Sequence, residues 1–200
     1  MRSGQMVIAM GCVAALAGAA LAKGKAEDKK KEPAADPHMA AMMKYATPSQ
    51  QHKTLQMMVG NWSIAGKFWM DPTKPPVESM STAEFRPVGD LWVVEDVKGD
   101  FMGKPFIGHG VTGYDLTKNK YVGSWIDNMG SYVMNSEGTA DATGKVITST
   151  ANDFDPMTGK TGTVREIHKI DSDTKHTVTM YKSGPDGKEM KIMELVYTKK

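Results

Sequence analysis

The side chains of this 200-residue chain with the means to do chemistry are few, and most lie inside apolar, strand-like runs. His109 stands in Pro105 to Tyr114 with glycines at 108, 110 and 113. Glycine in a strand marks a bend or a close backbone approach, so these residues can clear space for His109 to border a cavity, where it would bind a ligand, hold a metal or move a proton. Equally, they can let a strand curve and leave His109 facing water. A carboxylate at a pleated position must face either water or an interior partner. Glu95, Asp127, Glu137, Glu166 and Glu194 each stand among apolar or aromatic neighbours. Glu194 shares a face with Met190, Ile192 and Val196, so on this reading it needs Arg165 or a tyrosine as partner, as a structural ion pair or as an acid–base group. His168 and His176 fall near the adjoining ends of successive runs and are expected to meet as a surface pair. The five histidines form no H-E-x-x-H motif and no i, i+2 pair, so a preorganised zinc site has little support. His38, Met39, Met42 and Met43 are ligand types that suit Cu(I), or else a short amphipathic turn whose methionines fill gaps. The chain has no nucleophile elbow, phosphate loop or dinucleotide fingerprint, and its residues name no cofactor.

Strands must position these groups. From residue 61 on, strand-like runs recur at the spacing of an all-β sandwich or barrel, near 61–69, 79–87, 91–98, 105–114, 119–127, 131–138, 145–153, 162–170, 175–183 and 188–198. Turn chemistry joins them, as in Pro87-Val88-Gly89-Asp90 and Gly184-Pro185-Asp186-Gly187. No stretch between them is long and periodic enough for a crossover helix, which disfavours a parallel sheet. Ahead of the first run, Thr47 is the expected N-cap of a short helix, with Pro48 in its first turn and Gln50 as capping-box partner. His52, Leu55 and Val59 make its apolar stripe, and Gly60 is expected to end it. In the first strand Trp62, Ile64, Gly66 and Phe68 share one face.

A short helix running into Gly60-Asn61-Trp62 and a β-meander resembles the start of lipocalin-like barrels. His52, Leu55, Gly113-Tyr114-Asp115, Tyr121 to Asp127, Asp155 to Lys160, Arg165-Glu166 and Tyr197 to Lys200 add a closer resemblance to the DUF1579 family of bacterial proteins. That resemblance covers roughly Gln50 to Lys200. It implies a lipocalin-like barrel and supplies no catalytic residues.

At the other end, Arg2 precedes an apolar run from Met6 to Ala22 that closes on Ala20-Leu21-Ala22. Residues 1–22 therefore read as a secretory signal peptide cleaved after Ala22, which places the mature protein in the periplasm or outside the cell. The single cysteine, Cys12, falls within it, so the mature chain is expected to hold neither disulfide nor thiol nucleophile. Residues 23–46 begin with a charged, proline-containing stretch that reads as a disordered linker. From Pro37 onward, basic and acidic side chains number 19 each. A balanced domain lacks the basic excess that nucleic-acid binding requires.

The expectation is an all-β protein: an antiparallel up-and-down barrel of about ten strands over residues 47–200, lipocalin-like, with the short helix closing one end. Its interior would take a small apolar or amphipathic ligand, lined from Trp62, Trp92, Trp125, Phe106 and Tyr121 with His109, Arg165 and Glu194 as polar contacts. After signal cleavage it would not be an integral membrane protein. Two alternatives stand beside this reading: an enzyme using a cavity histidine and a carboxylate, and an envelope protein whose barrel is filled by its own side chains.

Overall fold

The computed structural model describes residues 36–155, 159–184 and 187–200. The expected signal peptide, Cys12, residues 23–35 and parts of two turns, Pro156 to Thr158 and Pro185-Asp186, lie outside the described residues. Two helices lead the chain, α1 (Pro37–Ala46) and α2 (Gln50–Gln56), and ten strands follow: β1 (Gly60–Phe68), β2 (Val77–Val88), β3 (Trp92–Phe101), β4 (Lys104–Asp115), β5 (Lys120–Asp127), β6 (Met134–Ala140), β7 (Val146–Asp155), β8 (Lys160–Ser172), β9 (Lys175–Ser183) and β10 (Glu189–Lys199). Each strand pairs antiparallel with the next, and β1 pairs with β10 to close the barrel. Closure leaves no sheet edge to protect.

The helix starts two residues later than the sequence implies. Thr47 is engaged elsewhere, its hydroxyl donating to the carbonyl of Met43 at the end of α1 (2.7 Å), so Ser49 becomes the N-cap of α2. The capping-box partner is His52 rather than Gln50: Nδ1 of His52 accepts the Ser49 backbone N–H at 2.9 Å, which leaves the ring proton on Nε2. Helix α1 falls within the segment expected as linker. Its N-cap Asp36 accepts the His38 N–H (2.9 Å), and none of its residues is buried. Met39, Met42 and Met43 are therefore exposed on α1 and do not cap the barrel base.

Helix α2 is too short to stand alone and serves as a floor. It buries His52 and Leu55 at one end of the barrel, and Met58 follows them inward. Gly60, expected to end the helix, instead opens β1 at φ +132°. A side chain there would meet Lys199 Cε at 2.9 Å. Trp62 is 1 % exposed, and its indole N–H donates to the Met58 carbonyl at 2.7 Å. Phe85, Val93, Tyr121, Ile147 and Tyr197 bury their side chains in the same core. Toward the opposite end the inner faces shrink to Ser79, Ser81, Gly123, Ser136 and Ser149, and the interior is left open there. The outer face is charged around its girth, with Lys67 on Glu78, Arg86 on Asp96, Lys118 and Lys120 on Glu137, and Arg165 on Glu189. A barrel facing lipid carries an apolar outer band instead. No described helix is long and apolar enough to cross a membrane.

Removing the Trp62 ring would hollow out this floor. Trp62→Ala should lower the free energy of unfolding by about 3–5 kcal/mol, read by chemical denaturation. An unchanged midpoint would contradict the placement of Trp62.

Candidate functional site

Above the floor lies a cavity of about 410 Å³. A ten-stranded barrel is wider than the eight-stranded size that side chains just fill, and the small inner residues keep the extra space clear. Phe68, Phe106, Trp125, Met180, Met193 and Leu195 give it a mostly apolar wall. Gly108 and Gly110 shape that wall. A Cβ at Gly108 would approach Trp125 Cζ2 to 2.2 Å, so the glycines of β4 make room for the Trp125 ring and not for His109. Trp125 is held in place by its indole N–H, which donates to Asp127 at 2.9 Å.

Two carboxyl groups project into this wall at depth. Glu95 comes from β3 and Glu166 from β8, which stand five strand steps apart around the ten-strand ring and so on opposite walls. The hydroxyl of Tyr197 on β10 donates to Glu95 Oε1 at 2.9 Å, a strut across the interior. Burial pushes Glu95 up to about 7, reinforced by the nearby charge of Glu166 and only partly offset by the Tyr197 bond. Glu166 is also pushed up to about 7, by burial alone, and no described residue bonds its carboxyl group. Tyr197 in turn is raised well above the usual tyrosine range by burial and by the Glu95 carboxylate.

Beneath them the two histidines meet, with His168 Nε2 and His176 Nδ1 2.9 Å apart. One nitrogen donates and the other accepts, so the bond is made between neutral rings. Burial holds both rings neutral, lowering His168 to about 4 and His176 to about 3. His176 stacks on Tyr197 (4.2 Å between centroids) and meets Trp62 edge-on (4.6 Å), which joins the histidine pair to the floor. Its Nε2 is buried without a hydrogen-bond partner.

Of the residues expected at the site, Trp125, Phe106 and Tyr121 line the cavity. Trp62 lies below it, in the core. The other four point away. His109 is on the outer face, paired with Asp96 at 2.7 Å and 44 % exposed. Trp92 covers the outside of Gly113, whose added Cβ would meet the indole at 2.3 Å. Arg165 makes a bidentate pair with Glu189 outside (2.7 and 2.5 Å) and lies over the Tyr181 ring. Glu194 bonds Lys191 (2.7 Å), and a bulge between Lys191 and Met193 turns Met193, Leu195 and Tyr197 inward in its place. The acids deepest in the interior, Glu95 and Glu166, are marked in the sequence only as strand carboxylates with apolar neighbours, as is Asp127, which also lines the cavity. His168 and His176 meet as expected but inside the barrel rather than on its surface. Among the described residues, no group of three His, Cys, Asp or Glu side chains is placed to hold a metal ion.

A family model described as "Protein of unknown function (DUF1579)" matches residues 47–199. No curated protein matches the sequence. Among solved structures, Rv2717c from M. tuberculosis superposes with a TM-score of 0.56 at 16 % identity, covering 77 % of this chain and 99 % of that one. The S-type phycobiliprotein lyase CPES from Guillardia theta superposes with a TM-score of 0.51 at 11 % identity, covering 76 % and 98 %. At these identities the likeness extends to the barrel itself and not to its contents.

A carboxyl whose folded pKa lies above its unfolded value favours the fold at low pH, and that advantage is lost as pH rises from about 4.5 to 7. Glu166→Gln removes the cost of ionising the group in place. Relative to the parent, the variant should be about 2 kcal/mol more stable at pH 8 than at pH 5, measured by denaturant titration at each pH. An equal difference at both values would mean that Glu166 is solvated.

Proposed function

The chain belongs to the DUF1579 family, whose description assigns no function, and from its interior we propose a binding protein that takes one small amphipathic molecule into the barrel. The observation that carries this reading is the cavity: about 410 Å³, walled by Phe106, Trp125, Met180 and Leu195, with Glu95, Glu166 and the two histidines at its inner end. That volume lies within the range of small-molecule sites, and an apolar wall with a few convergent polar groups is their usual composition. The barrel supplies a rigid frame, and burial of the ligand's apolar body supplies the driving force. We further propose that the protein acts in the periplasm or outside the cell, supported by the signal-like run that ends in Ala20-Leu21-Ala22.

The neutral apolar probe N-phenyl-1-naphthylamine should bind at one site per chain, with energy transfer from Trp125. Met180→Trp places a bulky indole in the cavity and should weaken this binding at least tenfold. Binding that ignores the substitution would place the probe elsewhere and overturn the cavity as the site. Chain recovered from its host should begin at Lys23 by N-terminal sequencing; an intact Met1 in the cytosol would refute export.

A further inference from the structure

Resting on the binding function proposed above, we infer that the ligand carries an organic cation head with N–H donors, a primary ammonium or amidinium, seated against the Glu166 carboxylate within the field of Glu95. The cavity wall has two deep carboxyl groups on opposite sides and, among the described residues, no lysine or arginine. Lys182, the one inward-register lysine of β9, is tied to Asp153 at 2.8 Å near the open end. Glu95 already accepts the Tyr197 hydroxyl through Oε1, and no described residue bonds Oε2. Glu166 has no partner at all among the described residues, and its cross-strand neighbours, Ser149 and Met180, bring no charge. His176, 2 % exposed, borders the same cavity with its Nε2 unsatisfied, which adds a second unmet hydrogen-bonding demand at the floor.

These groups discriminate between head groups. An anion entering the cavity would meet two carboxyl groups with no counter-charge, and a neutral alcohol would satisfy a hydrogen bond without gaining an ion pair. An ammonium gains both, because a charge-assisted hydrogen bond is stronger than a neutral one. The apolar wall then takes the ligand's body. Because both carboxyls are raised to about 7, the empty site holds protons that a cation must displace. Affinity for an amine should therefore rise between pH 6 and pH 8, with proton release on binding. Over this window His168 and His176 stay neutral and add nothing to the change, and Tyr197 stays protonated. The remaining carboxylates on the wall, Asp100, Asp127 and Asp153, stand toward the open end, where Asp100 accepts the Gly103 N–H and Asp153 is paired with Lys182.

The test is calorimetric titration of the full-length mature protein with n-octylamine, n-octanol and octanoate, which share a chain and differ in the head. At pH 8 octylamine should bind at least tenfold more tightly than octanol, and octanoate most weakly. The amine's margin should shrink severalfold at pH 6. Glu166→Gln should remove most of the margin while octanol still binds, which also shows that the variant is folded; Glu95→Gln should reduce it as well. Octanol binding as tightly as octylamine, or a margin that survives Glu166→Gln, would overturn the cationic head and leave the binding function standing. Failure of all three probes to bind would overturn both.

Discussion

Everything inside this barrel depends on its floor. Ten strands enclose more space than a single layer of side chains can fill, so one end must be closed by a separate element. Helix α2 does this with Leu55, helped by Met58 in the turn that follows it, and Trp62 locks that turn to the sheet by donating its indole N–H to the Met58 carbonyl at 2.7 Å. Against the Trp62 ring rests His176, against His176 rests Tyr197, and Tyr197 reaches across to Glu95. A single run of contacts thus joins the helix, the closing strand and the polar end of the cavity. The chain closes its barrel and sets its chemistry with the same residues, because Tyr197 belongs to the last strand, three places around the ring from the strand of Glu95.

That arrangement leaves two carboxyls and two imidazoles facing the interior, withdrawn from bulk water. Their effects on stability run in opposite directions. The carboxyls, raised from 4.5 to about 7, bind protons more tightly in the folded state, and their support fades as pH rises through that range. The imidazoles, lowered to about 4 and about 3, bind protons more tightly when unfolded, and their support is lost as pH falls from 6.5 toward those values. Between pH 4.5 and 6.5 the two pairs nearly cancel, which keeps the fold tolerant of mild acid even though four titratable groups face the interior. Among the described residues none of the four is matched by a counter-ion in the cavity, so the site is built for polarity without internal neutralisation. That is the mark of a place kept for something else to complete.

The barrel was legible in the sequence because turn chemistry and alternation are local. All ten strands fall close to where Gly-, Pro- and Asp-containing turns bracket apolar runs, and Trp62 faces inward as its alternation with Ile64 and Phe68 implies. The site was less legible, and each miss has a physical cause. His109 looked favoured by its glycines, yet Gly108 and Gly110 make room on the inner face for the Trp125 ring of β5, and Gly113 is covered on the outside by Trp92. Glu194 looked inward because it shares the parity of Met190, Ile192 and Val196, and a bulge between Lys191 and Met193 reverses that parity. Thr47 lost the N-cap to Ser49 because its hydroxyl was already bonded to α1. Glu95 and Glu166 share the inner face only because β3 and β8 stand across a closed ring, a relation that no local pattern encodes.

The central claim is that the interior holds two acids poorly solvated and without a cation, and the most direct measurement is their titration. Side-chain carboxyl carbons of Glu95 and Glu166, followed by NMR in the ligand-free mature protein, should titrate as a coupled pair with apparent midpoints near 7. Midpoints near 4.5, the ordinary value for glutamate, would show that both groups are solvated and that the barrel's interior is not the enclosed polar site described above.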